Sequence, residues 1–208
     1  MKSFTMKNLF LSLLLSLAVV SNAAFALGDA VAGKTKSASC GGCHGLDGNS
    51  PLDAFPKLAG QNEKYIAKQL AEFKANKTRQ NAVMLGMAAS VSAADAADIG
   101  AYFQSKAVTS TAPFDAAKAA KGRDIYNGGD LQAGIPACKA CHGPGGNGNA
   151  GSGYPSVGGQ YVGYTLAQLK AFKSGARSND ENRLMRDIVE KLSGDQLEAL
   201  ANYMASIK

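Results

Sequence analysis

Apolar residues gather first in one mostly unbroken block, Leu9 to Val20, and then in two series that repeat one another. In the first series Tyr65, Gln69, Leu70 and Phe73 recur at helical spacing; in the second Tyr164, Gln168, Leu169 and Phe172 do so 99 residues later. Such spacing places the aromatics and the leucine on one face of an α-helix. It predicts equivalent helices over 62–75 and 161–174. A later block repeats at an offset of 101: Ser92-Ala93-Ala94-Asp95 against Ser193-Gly194-Asp195-Gln196. Both read as capping boxes, in which a serine caps the helix and Asp95 or Gln196 reaches back. The helices they open carry Ile99, Tyr102 and Phe103 against Leu200, Tyr203 and Met204 as core positions. Further helices are expected over 29–38 and 115–126, where Gly33 and Gly122 would let each approach the terminal helix of its half closely. No segment alternates at strand period over a useful length. The fold class is all-α with long glycine-rich loops, built as an internal repeat.

The first apolar block follows Lys2 and Lys7 and ends at Ala24-Phe25-Ala26, the pattern of an export signal cleaved after Ala26. It is shorter than the roughly 20 residues that span a bilayer. Retention of the block as an anchor is the alternative. The small, polar run Ala107 to Pro113 reads as a linker. The expected organisation is a signal peptide over 1–26, one domain over 27–107, a linker over 108–113 and a second domain over 114–208. Each domain is small for a self-sufficient apolar core, and the chain has no tryptophan. An internal cofactor would supply the missing apolar face. The formal charge of +6 is scattered without a basic run, so nucleic acid is not an expected partner.

Chemistry concentrates in Cys40-Gly41-Gly42-Cys43-His44 and in Cys138-Lys139-Ala140-Cys141-His142, 98 residues apart; together they hold every cysteine and histidine of the chain. C-x-x-C-H is the attachment signature of haem c: two thiols add to the porphyrin vinyl groups, and the histidine that follows becomes an axial ligand. A zinc nodule, a redox dithiol and disulfides are the alternatives. None of them explains a histidine after both pairs and nowhere else. Two covalent haem c groups are expected, on Cys40 and Cys43 and on Cys138 and Cys141, with His44 and His142 on iron. Their propionates would bring the mature, exported protein close to neutral.

Histidine is then exhausted, and methionine is the next common axial ligand. At the offset of 101 Met84 falls on Met185, each eight residues before its capping serine. Met87 falls on Ile188 and Met204 on Phe103, so both read as core methionines. Met87, one helical turn from Met84, is the rival ligand. Pro56 and Pro155 offer carbonyls to the imidazole Nδ1–H, or are plain turn prolines. Arg79 and Arg177 pair with propionates or lie on the surface. Tyr65 and Tyr164 bond a propionate or pack. The glycines of 143–153 wrap a flat cofactor or form a mobile loop.

With both C-x-x-C-H-G units, the P-x-[LV]-x-G-Q blocks, the Y-x-x-x-Q-L-x-x-F helices and a methionine ahead of each terminal helix, the chain resembles the di-haem cytochrome c4 family. The resemblance implies two tandem class I cytochrome c-like domains related by pseudo-twofold symmetry, and the axial pairs His44/Met84 and His142/Met185. It implies a periplasmic electron carrier, soluble or peripherally attached to the membrane. The expected donor is a quinol-oxidising cytochrome bc complex or a dehydrogenase, and the acceptor a haem–copper terminal oxidase. The alternative is a di-haem subunit of a flavocytochrome-type sulfide dehydrogenase. A peroxidase or a thiosulfate-oxidising enzyme needs an open iron or a distal histidine or cysteine, and the chain has neither residue to spare. One departure stands out. Ser37 occupies the place of Tyr126, where such proteins often have an aromatic, and this leaves the helix packing of the first half in question.

Overall fold

The computed structural model describes residues 28–109 and 112–207. The expected signal peptide and the middle of the expected linker lie outside them. Half one runs α1 (Ala30–Lys36), α2 (Gly41–His44), α3 (Glu63–Ala75), α4 (Ala82–Ala88) and α5 (Ala93–Gln104). Half two repeats the order: α6 (Ala116–Gly128), α7 (Lys139–His142), α8 (Val162–Ser174), α9 (Leu184–Val189) and α10 (Gly194–Ser206). Among the described residues there is no strand, only isolated antiparallel bridges at Asp130–Ile135 and Asn149–Tyr154.

Local chemistry explains the boundaries. Asp29 and Asp115 cap α1 and α6, each accepting two backbone N–H bonds. Both capping boxes form at Ser92 and Ser193. Helices α3 and α8 stop at left-handed residues, Asn76 and Gly175. Helix α1 ends two residues before the expected Ala38, and α6 runs two residues beyond the expected Tyr126.

In each half the first helix crosses the last at a glycine. A Cβ on Gly33 would lie 1.9 Å from the Asp98 carbonyl oxygen, and one on Gly122 2.0 Å from that of Ala199. Only glycine permits this crossing. The core of half two gathers Tyr126, Ile135, Leu169, Phe172, Val189, Leu192, Leu197, Leu200 and Met204. That of half one is smaller: Ile66, Ile99, Tyr102 and Phe103. Met204 is thus a core methionine as expected, but Met87 is 40 % exposed and packs in no core cluster. The segment between the halves is held at both described ends. Asn49 bonds the Thr109 N–H and the Ala107 carbonyl, and Ala112 is buried against Tyr161 and Ala205.

The halves meet through reciprocal bonds, as pseudo-twofold symmetry requires. The Gln61 amide donates to the Ser156 carbonyl (2.8 Å) and accepts from the Ser156 N–H (2.9 Å). Its counterpart Gln160 donates to the Lys57 carbonyl (2.9 Å) and accepts from the Lys57 N–H (3.0 Å). The G-Q blocks noticed in the sequence are therefore the clasp between the halves.

Candidate haem-binding sites

Each C-x-x-C-H stretch folds as a single helical turn. The His44 N–H bonds the Cys40 carbonyl at 3.0 Å, and the His142 N–H bonds that of Cys138 at 3.0 Å. One turn thereby presents two thiols and an imidazole together. Gly45 (φ 79°) and Gly143 (φ 76°) then turn the chain away in a conformation that favours glycine, which explains the glycine after each histidine. Among the described residues no disulfide joins the four cysteines. Among the described residues no group of three histidine, cysteine or acidic side chains forms a metal cluster, and the zinc alternative finds no site.

Both histidines are buried, and Nδ1–H donates to a proline carbonyl: His44 to Pro56 at 2.8 Å and His142 to Pro155 at 2.9 Å. The bond fixes ring and tautomer and leaves Nε2 as the ligating nitrogen. Burial, opposed by that bond, holds both imidazoles below the ordinary histidine value, so each ring is neutral as an iron ligand must be. Burial likewise raises the Cys40 thiol and pushes Cys138 up to about 11. These uncharged sulfurs suit conversion to thioethers. The donor set fits haem c in both halves.

Met84 and Met185 take matching places at the starts of α4 and α9, each half-buried. Their helices are anchored differently. The Asn81 side chain accepts the Met84 N–H at 2.9 Å. In half two a 3₁₀ turn, Glu181–Arg183, precedes α9, with Asn182 (φ 51°) and Arg183 (φ 61°) both left-handed. Asp180 then holds Arg186 through its N–H (2.9 Å) and Nε (2.6 Å). The extra residues of half two lie in this turn, and the growth of the repeat offset before Met185 was the signal for it.

Arg79 and Arg177 are not surface residues. Each is buried, and each donates to the tyrosine of the opposite half: Arg79 to Tyr164 and Arg177 to Tyr65, both at 2.9 Å. Sequence reasoning named all four residues but not this exchange.

The cytochrome c family model matches residues 30–107 and 119–208. Cytochrome c4 of Stutzerimonas stutzeri is 44 % identical over 211 residues, covering 97 % of this chain and 100 % of the relative. A thiosulfate dehydrogenase electron acceptor of Thiomonas intermedia is 41 % identical over 174 residues, covering 82 % of this chain and 79 % of the relative. The crystal structure of reduced recombinant cytochrome c4 from Pseudomonas stutzeri superposes with a TM-score of 0.83 at 45 % identity, covering 87 % of this chain and 100 % of that one. Two C-x-x-C-H turns on a doubled helical scaffold, matched along nearly the whole chain, place it in the cytochrome c4 family as a di-haem electron-transfer cytochrome whose cofactors are two covalently bound haem c groups.

Proposed function

We propose that the chain is a periplasmic one-electron-per-haem carrier with closed coordination at both irons. Cys40 and Cys43 hold one haem and Cys138 and Cys141 the other. His44 and Met84 are the axial pair of the first iron, His142 and Met185 that of the second. The haem domains cover 27–107 and 114–208 around the linker 108–113, after cleavage of 1–26. The observation that carries this reading is the duplicated donor set, imidazole locked through Nδ1 in both halves and methionine at matching positions. Haem supplies a ferric/ferrous couple. The polypeptide keeps the imidazole neutral and oriented, and a thioether ligand favours the ferrous state. With His44 and Met84, or His142 and Met185, as its ligands, each iron would exchange electrons and would leave no position for a substrate. A quinol-oxidising complex or a dehydrogenase is the donor and a haem–copper oxidase the acceptor.

The test is carbon monoxide binding to the reduced protein. An unchanged visible spectrum is expected at both haems; a change at one would sink the closed-coordination reading. Met84→His and Met185→His should each lower the potential of one haem only, and equal shifts of both would reject the ligand assignment. A second reading makes thiosulfate dehydrogenase the donor, favoured by the similarity to that enzyme's electron acceptor. Reduction by such an enzyme with thiosulfate, in a stopped-flow assay, would select it. The flavocytochrome alternative has no comparable support.

A further inference from the structure

The chain enters its two halves in different ways. Glu63 opens α3 and is only 8 % exposed, and its carboxylate turns back on the approach to α1: Oε1 accepts the Gly28 N–H at 2.8 Å. Beside it Asp98 Oδ1 accepts the Asp29 N–H at 2.7 Å. Gly28 is pressed on α5, where a Cβ would lie 2.2 Å from the Ala97 carbonyl oxygen. Gly100 of α5 in turn meets the Glu63 backbone, and the Glu63 N–H donates to Gln104 Oε1 at 2.8 Å. Glu63 therefore stands where the starts of α1 and α3 meet α5.

In half two the same places carry no charge. Glu63 falls on Val162 at the offset of 99, and Gln104 on Ala205 at the offset of 101. Both pack in one apolar cluster with Ala112 and Tyr161, against the chain that arrives from half one. The Asp115 N–H, at the start of α6, donates to the Asn202 side-chain oxygen at 2.8 Å rather than to a carboxylate. An entry from within the chain thus uses packing and a neutral acceptor. The entry to half one has a buried carboxylate instead, and among the described residues no lysine or arginine forms an ion pair with it. A buried carboxylate without a cation is costly. The neighbouring charges are already engaged: Asp98 pairs with Lys36, and Asp29 caps α1.

A cation becomes available one residue upstream. Cleavage after Ala26 leaves Leu27 as the first residue, and its α-amine is at most about 4 Å from the Gly28 nitrogen, by the bond lengths between them. A carboxylate that holds the Gly28 N–H is within reach of that amine. We infer that Glu63 is the receiving site for the α-ammonium created at Leu27 by signal cleavage, so that processing fastens α1 to α3 and α5. The inference rests on the cleavage after Ala26 proposed above. Before cleavage the Leu27 nitrogen is a neutral amide. Hydrolysis of the Ala26–Leu27 peptide consumes one water, leaves a carboxylate on the released segment and gives the mature chain a protonated amine. The new ion pair strengthens the half with the smaller apolar core, at the helix that leads into the Cys40 turn.

The test is competitive acetylation of the mature holoprotein, with the α-amine followed by mass spectrometry across pH. Pairing with Glu63 should raise the amine above its usual value of roughly 7.7–8.0. In Glu63→Gln the side-chain oxygen can still accept the Gly28 N–H, so the charge alone is lost. Its α-amine should return to the usual range and react several-fold faster near neutral pH. The α1 amides should also exchange faster, with the haem absorbance unchanged. Equal amine reactivity in the two proteins would overturn the proposal. Two serines inserted before Leu27 leave Glu63 in place and carry the ammonium away, which guards against a Glu63→Gln chain that does not fold. They should release the amine as Glu63→Gln does, and an amine as protected as before rejects the pairing. Intact mass separates this inference from the reading beneath it. A mature chain that begins elsewhere than Leu27 overturns the cleavage site and the pairing together. One that begins at Leu27 with an ordinary amine overturns the pairing alone.

Discussion

In half two the hydroxyl that closes the loop after the haem histidine comes from the first helix: Tyr126 of α6 donates to the Gly143 carbonyl at 2.6 Å. In half one Ser37 holds that helix position, and the hydroxyl comes from the last helix instead. Tyr102 of α5 donates to the Leu46 carbonyl at 2.8 Å. The counterpart of Tyr102, Tyr203, packs on Tyr126 with ring centroids 5.2 Å apart and accepts from Asn127. In each half a loop carbonyl finds its hydroxyl donor, but not from the same helix. The question raised by Ser37 is thus answered by a neighbour, and the crossing of α1 over α5 is as close as that of α6 over α10.

The halves differ more in how much core the polypeptide itself supplies. The segment 129–135, present in half two alone, turns back through the Asp130–Ile135 bridge and drops Ile135 into the core beside Tyr126. Each fully buried aliphatic or aromatic side chain contributes about 1.5–3 kcal/mol. Half one, with its shorter list of buried residues, leans harder on its haem. Replacing Cys40 and Cys43 by alanine should therefore melt half one, whereas replacing Cys138 and Cys141 should leave much of the helix in half two. Circular dichroism with amide exchange would read this. Equal losses from the two variants would break the comparison.

Next in size are the helix crossings, where the halves should behave alike. Gly33→Ala and Gly122→Ala each drive a methyl group into a backbone carbonyl, and each should cost roughly 3 kcal/mol. Chemical denaturation of both holoproteins checks it. A mild effect in one half would show that its first helix can slide. A smaller effect belongs to the tyrosines. Tyr126→Phe and Tyr102→Phe each remove one hydrogen bond to a loop carbonyl and should cost about 1 kcal/mol, although the Gly143 carbonyl keeps the Gly146 N–H at 3.1 Å. Tyr203→Phe should cost less, since its hydroxyl meets only the Asn127 amide at 3.2 Å.

Much of this was legible in the chain because it is local. Capping boxes, helix starts and the proline carbonyl that holds each imidazole depend on residues within about a dozen positions of each other. The glycine crossings were legible because a repeat shows the same residue twice. What escaped has partners far away in sequence. Nothing near Arg79 says that its guanidinium ends on Tyr164, and nothing near Ser37 says that Tyr102 will supply the hydroxyl. Met87 was misread because the repeat places it on Ile188, which packs against the core of half two, whereas Met87 itself is 40 % exposed.

The smallest difference concerns charge at the same two crossings. In half one Lys36 bridges Asp95 (2.6 Å) and Asp98 (2.5 Å), tying α1 to α5. In half two Lys118 pairs with Glu198 alone, at 2.7 Å. The bond to Lys36, helped by Ser92, holds Asp95 at about 2, and Lys36 together with the Asp29 N–H lowers Asp98. Asp95 and Asp98 in turn raise Lys36 to about 12. A carboxylate depressed by folding stabilises the folded state above its ordinary value of 3.8, and the contribution fades as pH falls through the folded value. A raised ammonium behaves in the opposite sense: its contribution is present below 10.5 and fades as pH rises through about 12. Half one should therefore loosen at α1 both between pH 4 and 2 and above pH 10.5. In half two the depressed carboxylate is Asp115, lowered first by the Lys118 N–H, so its acid loss should fray the start of α6 rather than part α6 from α10. Amide exchange, corrected for intrinsic rates, would compare the two helices. Lys36→Ala should erase the alkaline response and shrink the acid one. Both effects should weaken in high salt, because these groups face solvent and their attraction is screened. An acid response in α1 that survives Lys36→Ala unchanged would place its origin outside the bridge between the helices.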